Sequence, residues 1–413
     1  MKAAPRHPWA ILASVVMLVT MLLSAPARLE AGPVKIGYLD SFTGGLSVYG
    51  IPARDAFMIA VEEWNAKGGA GGRKIEVVTR DEQGRADTAV RAARELYLDE
   101  KVDFVVGITS SASGVAIADL TKQLKRLVIL TGAFSSRIID EFGHRHIAKV
   151  SMNSVKESYT LAQYLRKQPW KKYYLLGQDY EYGRVALSAA MEILRKDRAE
   201  ITTAGQAFAP FGTADYAPFI TAALGANPEV VLTSLVGPDV NTFLTQAQPF
   251  GFLDKTRLVG FVLAEVHATV PMGEKYPARI ATTSNFPFYL IDTPEAKAFV
   301  RKFRQRTGHW PNNNALFGYN AANFLFTAIE KANSTDTEKV IDALQGLTIG
   351  APTGRLTLRA CDQQVMNPDW VGTTDRVDPE LKFVVIKDAL KVEGPEGWRS
   401  CEEIKQLRAA PKR

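Results

Sequence analysis

Residues 102–136 read VDFVVGITSSASGVAIADLTKQLKRLVILTGAFSS, and the succession of residue types in this stretch decides the fold. The run 102–107 has the composition of a strand buried on both faces. Hydroxyl side chains follow at Thr109, Ser110 and Ser111. Residues 113–124 then read as a helix, and 127–130 as a second apolar strand. Strand, helix, strand in succession is the unit of a parallel sheet with helices on its faces.

The same unit extends in both directions. Residues 34–39 and 75–79 read as strands. Between them, residues 54–67 place Phe57, Ala60, Val61 and Trp64 on one helical face, and Gly68-Gly69 ends the helix. Residues 87–98 form another helical face with Val90, Ala93, Leu96 and Tyr97. After residue 150 the rhythm restarts, with strands at 173–177, 201–207, 230–235 and 258–262 and helices at 184–195, 216–224 and 240–248. Residues 280–288 are extended and irregular. Helices follow at 294–307, 314–332 and 338–344, and from 354 onward short strands alternate with turns. The expected fold class is α/β: two doubly wound parallel-sheet lobes, which suits a length of 413 residues.

Composition narrows the function. Hydrophobic residues make up 46% and charged residues 23%, the balance of an ordinary globular protein. The net charge is +6, but the basic residues are scattered and form no nucleic-acid signature. Lys167, Lys171 and Lys172, beside Trp170 and Tyr173, read as a solvated helix end. The N-terminus is more informative. Lys2 and Arg6 precede an uncharged run at 10–25, and Ala25-Pro26-Ala27 has the small-residue pattern of a cleavage site. This is a secretory signal over residues 1–27, shorter than a bilayer-spanning helix. Its removal takes away Lys2 and Arg6 and no acid, so +6 becomes +4. No cysteine lies near the site, so lipid attachment there is not expected. Export to the periplasm is expected. Two cysteines, Cys361 and Cys401, form an even pair in an exported chain and are expected to be bonded.

Catalytic and metal motifs are missing. Gly68-Gly69-Ala70-Gly71-Gly72-Arg73-Lys74 precedes a strand, so it is not a phosphate loop, and Lys74 stands where a dinucleotide fingerprint needs glycine. His144-Arg145-His146 has no acidic or Cys companion, and neither cysteine lies in a zinc-type cluster. Glu62 and Glu63 are adjacent and so point to different helix faces. No cofactor, metal or catalytic residue is expected. The informative places are the strand ends, because ligands of open α/β sheets lie beyond them. One end carries Thr109, Ser110 and Ser111 before a helix. The next carries Thr131, Ala133, Ser135 and Ser136, and the first carries residues 40–45 with Tyr49-Gly50 ahead of its helix. Hydroxyls and free amides at a helix start suit a carboxylate.

Six stretches in order carry a resemblance: KIGYLDSFTGGLSVYG, NAKGGAGGRKIEVVTRDEQG, FVVGITSSASGVAIADL, GQDYEYGR, FGYNAANFLFTAIEKA and PTGRLTLRACDQQVMNP. Over roughly residues 34–390 the chain resembles the type I periplasmic binding proteins of the leucine/isoleucine/valine-binding family. The resemblance implies that Ser111 and Ser135 grip the ligand's carboxylate and amino groups, with main chain near Ala133. It implies that Tyr49 lines the pocket and that Asp179, Tyr180 and Tyr182-Gly183 form the second lobe's first loop. Val236 stands where the family has an aromatic contact. The family's second-lobe acid falls near 261–265, where Glu265 is the candidate. The resemblance further implies an extracytoplasmic solute receptor, not an enzyme, that captures a small carboxylate and hands it to the membrane permease of an ABC importer. A monomer with no nucleic-acid partner is expected. A sensor module for a signalling partner and an exported α/β enzyme are the alternatives. The expected lobes are 34–150 with 281–357, and 151–280 with 358–395. Chain crossings near 150, 281 and 358 form the hinge, and 396–413 is a tail.

Overall fold

Alternation along the first strand sets the layers. In β1 (Val34–Asp40), Val34, Ile36 and Tyr38 face one side and Leu39 the other, and all are fully buried. A strand of this kind needs a helix layer on each face. The computed structural model, which describes residues 32–411, supplies both. β1 pairs in parallel with β2 (Ile75–Asp81) and β3 (Phe104–Gly107), and β4 (Val128–Leu130) and β5 (Ile147–Lys149) complete the order β2-β1-β3-β4-β5. Helices Ser47–Ala66 and Asn313–Ala332 cover the Tyr38 face. Phe57 lies 4.9 Å from Tyr38 and 5.9 Å from Phe326, ring centre to ring centre. Helices Ala86–Leu98 and Ser111–Leu124 cover the Leu39 face with Leu96, Ile117 and Ala118.

The second sheet repeats this winding. β6 (Lys172–Gln178), β7 (Thr202–Ala209), β8 (Val230–Thr233), β9 (Arg257–Gly260) and β10 (Ala281–Ser284) take the order β7-β6-β8-β9-β10, all parallel. After the separate hairpin of β11 (Thr348–Ala351) and β12 (Gly354–Thr357), β13 (Asp369–Val377) joins β10 antiparallel and β14 (Val384–Val392) closes the edge. The fold is the type I periplasmic binding arrangement of two α/β lobes.

Several boundaries differ from expectation. The first helix begins at Ser47 rather than near residue 54, so Gly50 and Pro52 lie inside it. Pro52 cannot donate to the Val48 carbonyl, and the Asn312 side-chain amide takes that carbonyl at 2.9 Å instead. Gly50 is required there, because a Cβ would sit 2.1 Å from the Ser41 carbonyl oxygen. Tyr49 therefore stands on the first helical turn.

The boundary expected at 281 falls inside the second sheet. Thr282 and Thr283 are short and polar, but their hydroxyls accept the amides of Leu263 and Val262, which continues the sheet. Strand β5 has no apolar run to announce it. Residues 358–365, expected in the second lobe, lie beside β5: the Lys149 amide donates to the Gln363 carbonyl, and the Val365 amide to that of Lys149. The tail contains a helix, Cys401–Ala409, opened by a Ser400–Glu403 capping box. Arg408 donates to the Ile139 carbonyl of the first lobe, and Arg399 reaches buried Asp140 at 3.0 Å. Cys361 and Cys401 are bonded, so the third crossing and the tail helix are one covalent unit. The expected leader, residues 1–27, lies outside the described residues.

Candidate functional site

The C-terminal ends of β1, β3 and β4 converge on the cleft between the lobes. Ser110 is the N-cap of helix Ser111–Leu124, two residues earlier than expected, and its hydroxyl oxygen accepts the Ser113 amide at 3.4 Å. Ser111 opens the helix, so its amide has no intrahelical acceptor. Its hydroxyl oxygen accepts the Ser135 amide at 3.1 Å, which leaves the Ser111 proton free to donate. The amides of Thr109 and Ser110 are not free. They end on buried Asp40 and Glu82, at 2.8 and 3.2 Å, which corrects the expectation of a whole loop of open donors.

A cavity of about 30 Å³ lies between the lobes, room for one or two waters. Tyr49, Thr109, Ser111 and Phe134 line the first-lobe side, with Asn313 and Asn314 at the start of helix Asn313–Ala332. Tyr180, Tyr182, Val236 and Val262 line the second-lobe side. Among the described residues no carboxylate, lysine or arginine stands on this wall. Its polar groups are hydroxyls, amides and two helix starts. Aromatic edges meet across it, with Phe134 and Tyr182 5.9 Å apart.

The lobes also bond directly. The Tyr49 hydroxyl oxygen accepts the Gly237 amide at 2.9 Å and lies 3.1 Å from His267 Nε2. Burial lowers His267 to about 4, so its ring is neutral. Ser135 donates its hydroxyl to Glu181 at 3.0 Å, and Arg137 pairs with the same carboxylate at 3.3 Å. The Asn313 amide donates to Glu265 at 3.3 Å.

Of the residues picked out in sequence, Tyr49, Thr109, Ser111, Tyr180, Tyr182 and Val236 reach the cavity. Gln178 holds the Val236 amide at 2.9 Å, which fixes the loop that presents it. The others do not reach it. Ser110 caps its helix. Ala133 is buried between Gly132 and Phe134, which are themselves on the wall. Ser135 is committed to Glu181. Asp179 is surface-exposed, bonded to Arg184 at 2.8 Å. Glu265 is buried behind the wall, where Asn313 and Ser284 donate to it, and burial raises it to about 7. Sequence reading missed Phe134, Val262, His267, Asn313 and Asn314. The run Asn312-Asn313-Asn314 ahead of an apolar helical face is an N-terminal signal that would have flagged the last two.

Residues 33–377 match the family described as periplasmic binding protein. The chain belongs to that family. Among curated members of the periplasmic binding protein family, the leucine-, isoleucine-, valine-, threonine-, and alanine-binding protein of Pseudomonas aeruginosa is 25% identical over 338 residues, 80% of this chain and 87% of its own. Leu/Ile/Val-binding protein homolog 7 of Brucella abortus is 25% identical over 352 residues, 82% and 87% of the two chains. Among solved structures, an ABC-transporter solute binding protein of Rhodopseudomonas palustris in complex with 3,4-dihydroxybenzoic acid superposes with a TM-score of 0.79 at 23% identity, over 87% of this chain and 97% of that one. The resemblance seen in the sequence stands. Relatives in this family are binding proteins rather than enzymes, in line with the expectation for this chain. Among the described residues no helix is long and apolar enough to cross a membrane.

Proposed function

We propose that this chain is the periplasmic receptor of an ABC importer and captures a small carboxylate with an apolar or aromatic body between its lobes. The observation that carries the reading is the cavity wall. It offers the Ser111 hydroxyl and helix start on one side, tyrosine and valine surface on the other, and no acid to pair an ammonium. An unpaired ammonium enclosed there would be costly, whereas flat rings gain dispersion and edge contacts against Tyr180, Tyr182 and Phe134. The Pseudomonas aeruginosa relative named for leucine, isoleucine and valine and the solved structure in complex with 3,4-dihydroxybenzoic acid bracket this class.

In this reading Ser111, Tyr49, Tyr180 and Val236 contact the ligand, and Ser110, Ala133, Ser135, Asp179 and Glu265 act from behind the wall or at its rim. The first lobe spans 34–150 with 286–357 and the second 154–284 with 369–395, with the segments between them as the hinge. A cavity of about 30 Å³ holds no such ligand, so the lobes part to admit it and reclose by rigid-body rotation. The permease then recognises the closed surface. The exported chain loses residues 1–27, carries no lipid and works as a monomer.

Purified mature protein should show thermal stabilisation and calorimetric binding with benzoate- or phenylpropanoid-type acids in preference to leucine and valine. Tight leucine binding abolished by Glu265→Gln, with no response to aromatic acids, would overturn the ligand class.

A further inference from the structure

Two carboxylates lie directly beneath the first-lobe loop and have no place in the binding scheme so far. Asp40 ends β1 and Glu82 follows β2, and both side chains are fully buried. Asp40 Oδ1 accepts the amides of Ser41 and Thr109, each at 2.8 Å. Glu82 Oε1 accepts the Ser110 amide at 3.2 Å and the Ser41 hydroxyl at 2.9 Å. Two side chains thus gather the backbone of two strand-end loops.

What they hold is strained. Ile108 sits at φ +68°, in the left-handed region that a β-branched residue avoids. Such a conformation persists only where the surroundings over-determine it. Here the Ile108 amide donates to the Leu39 carbonyl at 2.7 Å, and the next two amides end on Asp40 and Glu82. The strained residue is three positions from Ser111.

Among the described residues no cation faces the pair, and the buried Tyr38 hydroxyl beside Asp40 is held neutral by burial. Asp40 is the charged side chain that acts on Glu82. Asp81 turns away to Phe42, Thr43 and Gln83, Arg85 pairs with Asp87, and Arg54 with Asp55. Two buried carboxylates with no cation between them cannot both ionise cheaply. Burial raises Asp40 to about 6 and Glu82 to about 8, so at neutral pH Glu82 keeps its proton.

We propose that Asp40 and Glu82 are positioning residues for ligand capture: their buried carboxyl oxygens lock the strained loop that sets Ser111, and with no cation beside them they do not both carry charge under an anion site. The inference rests on the carboxylate reading above for its effect on binding, but not for its effect on the loop.

Both parts are tested on the full mature chain with Glu82→Gln and Glu82→Ala. Hydrogen–deuterium exchange of the peptide covering 104–111, without ligand, should quicken at least about tenfold in Glu82→Ala, in line with loss of a hydrogen bond of more than about 1.4 kcal/mol, and stay slow in Glu82→Gln, which keeps the acceptor. With benzoate as probe, wild-type affinity should fall about fivefold from pH 7 to pH 9, the change that a one-unit ligand-linked rise from about 8 produces across this range. Glu82→Gln, neutral throughout, should lose that pH dependence. Unchanged exchange in Glu82→Ala overturns the loop anchor, and an undiminished pH slope in Glu82→Gln overturns the single charge on the pair. Quickened exchange in Glu82→Ala with no benzoate binding by the wild type would sink the carboxylate reading and still support the anchor.

Discussion

Tyr49 of the first lobe and His267 of the second meet edge to face across the cleft, ring centres 4.7 Å apart, with Tyr49 Oη 3.1 Å from His267 Nε2. The Gly237 amide donates to the same oxygen at 2.9 Å, so Tyr49 Oη ties the first lobe to two places on the second. The closed form is therefore held by the chain itself as well as by any ligand.

Tyr49→Phe removes two hydrogen bonds that exist only when the lobes are closed. At about 0.5 to 1.5 kcal/mol each, their loss moves the open-to-closed balance about 5- to 150-fold toward open. Small-angle scattering of the unliganded variant should show a larger radius of gyration than the wild type. An identical radius would mean that the latch contributes nothing.

Ser111→Ala should weaken binding of a carboxylate ligand about 10- to 150-fold, the cost of one hydrogen bond to a charged group. The Ser135 amide loses its acceptor in the same variant, so circular dichroism and melting must be checked alongside calorimetry. Wild-type affinity in a folded Ser111→Ala protein would remove Ser111 from the site.

The bond between Cys361 and Cys401 closes a loop of 40 residues. Cys401→Ser should lower unfolding stability by about 3 to 4 kcal/mol in the chain-entropy treatment, seen as a lower urea midpoint. Intact mass of natively exported protein should show no alkylation before reduction and two labels after it. Two labels without reductant would contradict the pairing.

Stability should fall as pH rises from about 5 to 8. Burial raises Glu82 to about 8, Glu265 to about 7, and Asp40 and Asp140 to about 6. It also raises Glu157 and Asp369, which repel one another. Unfolded carboxylates lose their protons near about 4, so across this window the folded chain binds more protons, and that stability is lost as pH climbs through the folded values. His267, lowered by burial to about 4, acts with the opposite sign up to about pH 6.5, and Lys149, lowered to about 7, only above that value, so the more numerous acids set the trend. A melting temperature that rises steadily from pH 5 to 8 would show that these acids are ionised in the folded state.

The layers of this fold were legible because they depend on local pattern. The apolar run ending at Gly107 and the helical face of Phe57, Ala60, Val61 and Trp64 specify a strand buried on both sides and a helix that covers it, whatever lies farther along the chain. The hydroxyls at Thr109 and Ser111 were visible for the same reason: a strand end leading into a helix is a short-range feature.

The bonds that cross the cleft were not legible, because they depend on pairings hundreds of residues apart. Nothing near Tyr49 announces Gly237 or His267, and nothing near Pro52 announces that Asn312 will take the carbonyl it orphans. Ser135 looked like a ligand contact until Glu181 was brought beside it. Thr109 and Ser110 looked like free donors until Asp40 and Glu82 were buried under them, since a carboxylate's choice of partner is set by which amides the fold carries within hydrogen-bond reach when water is excluded.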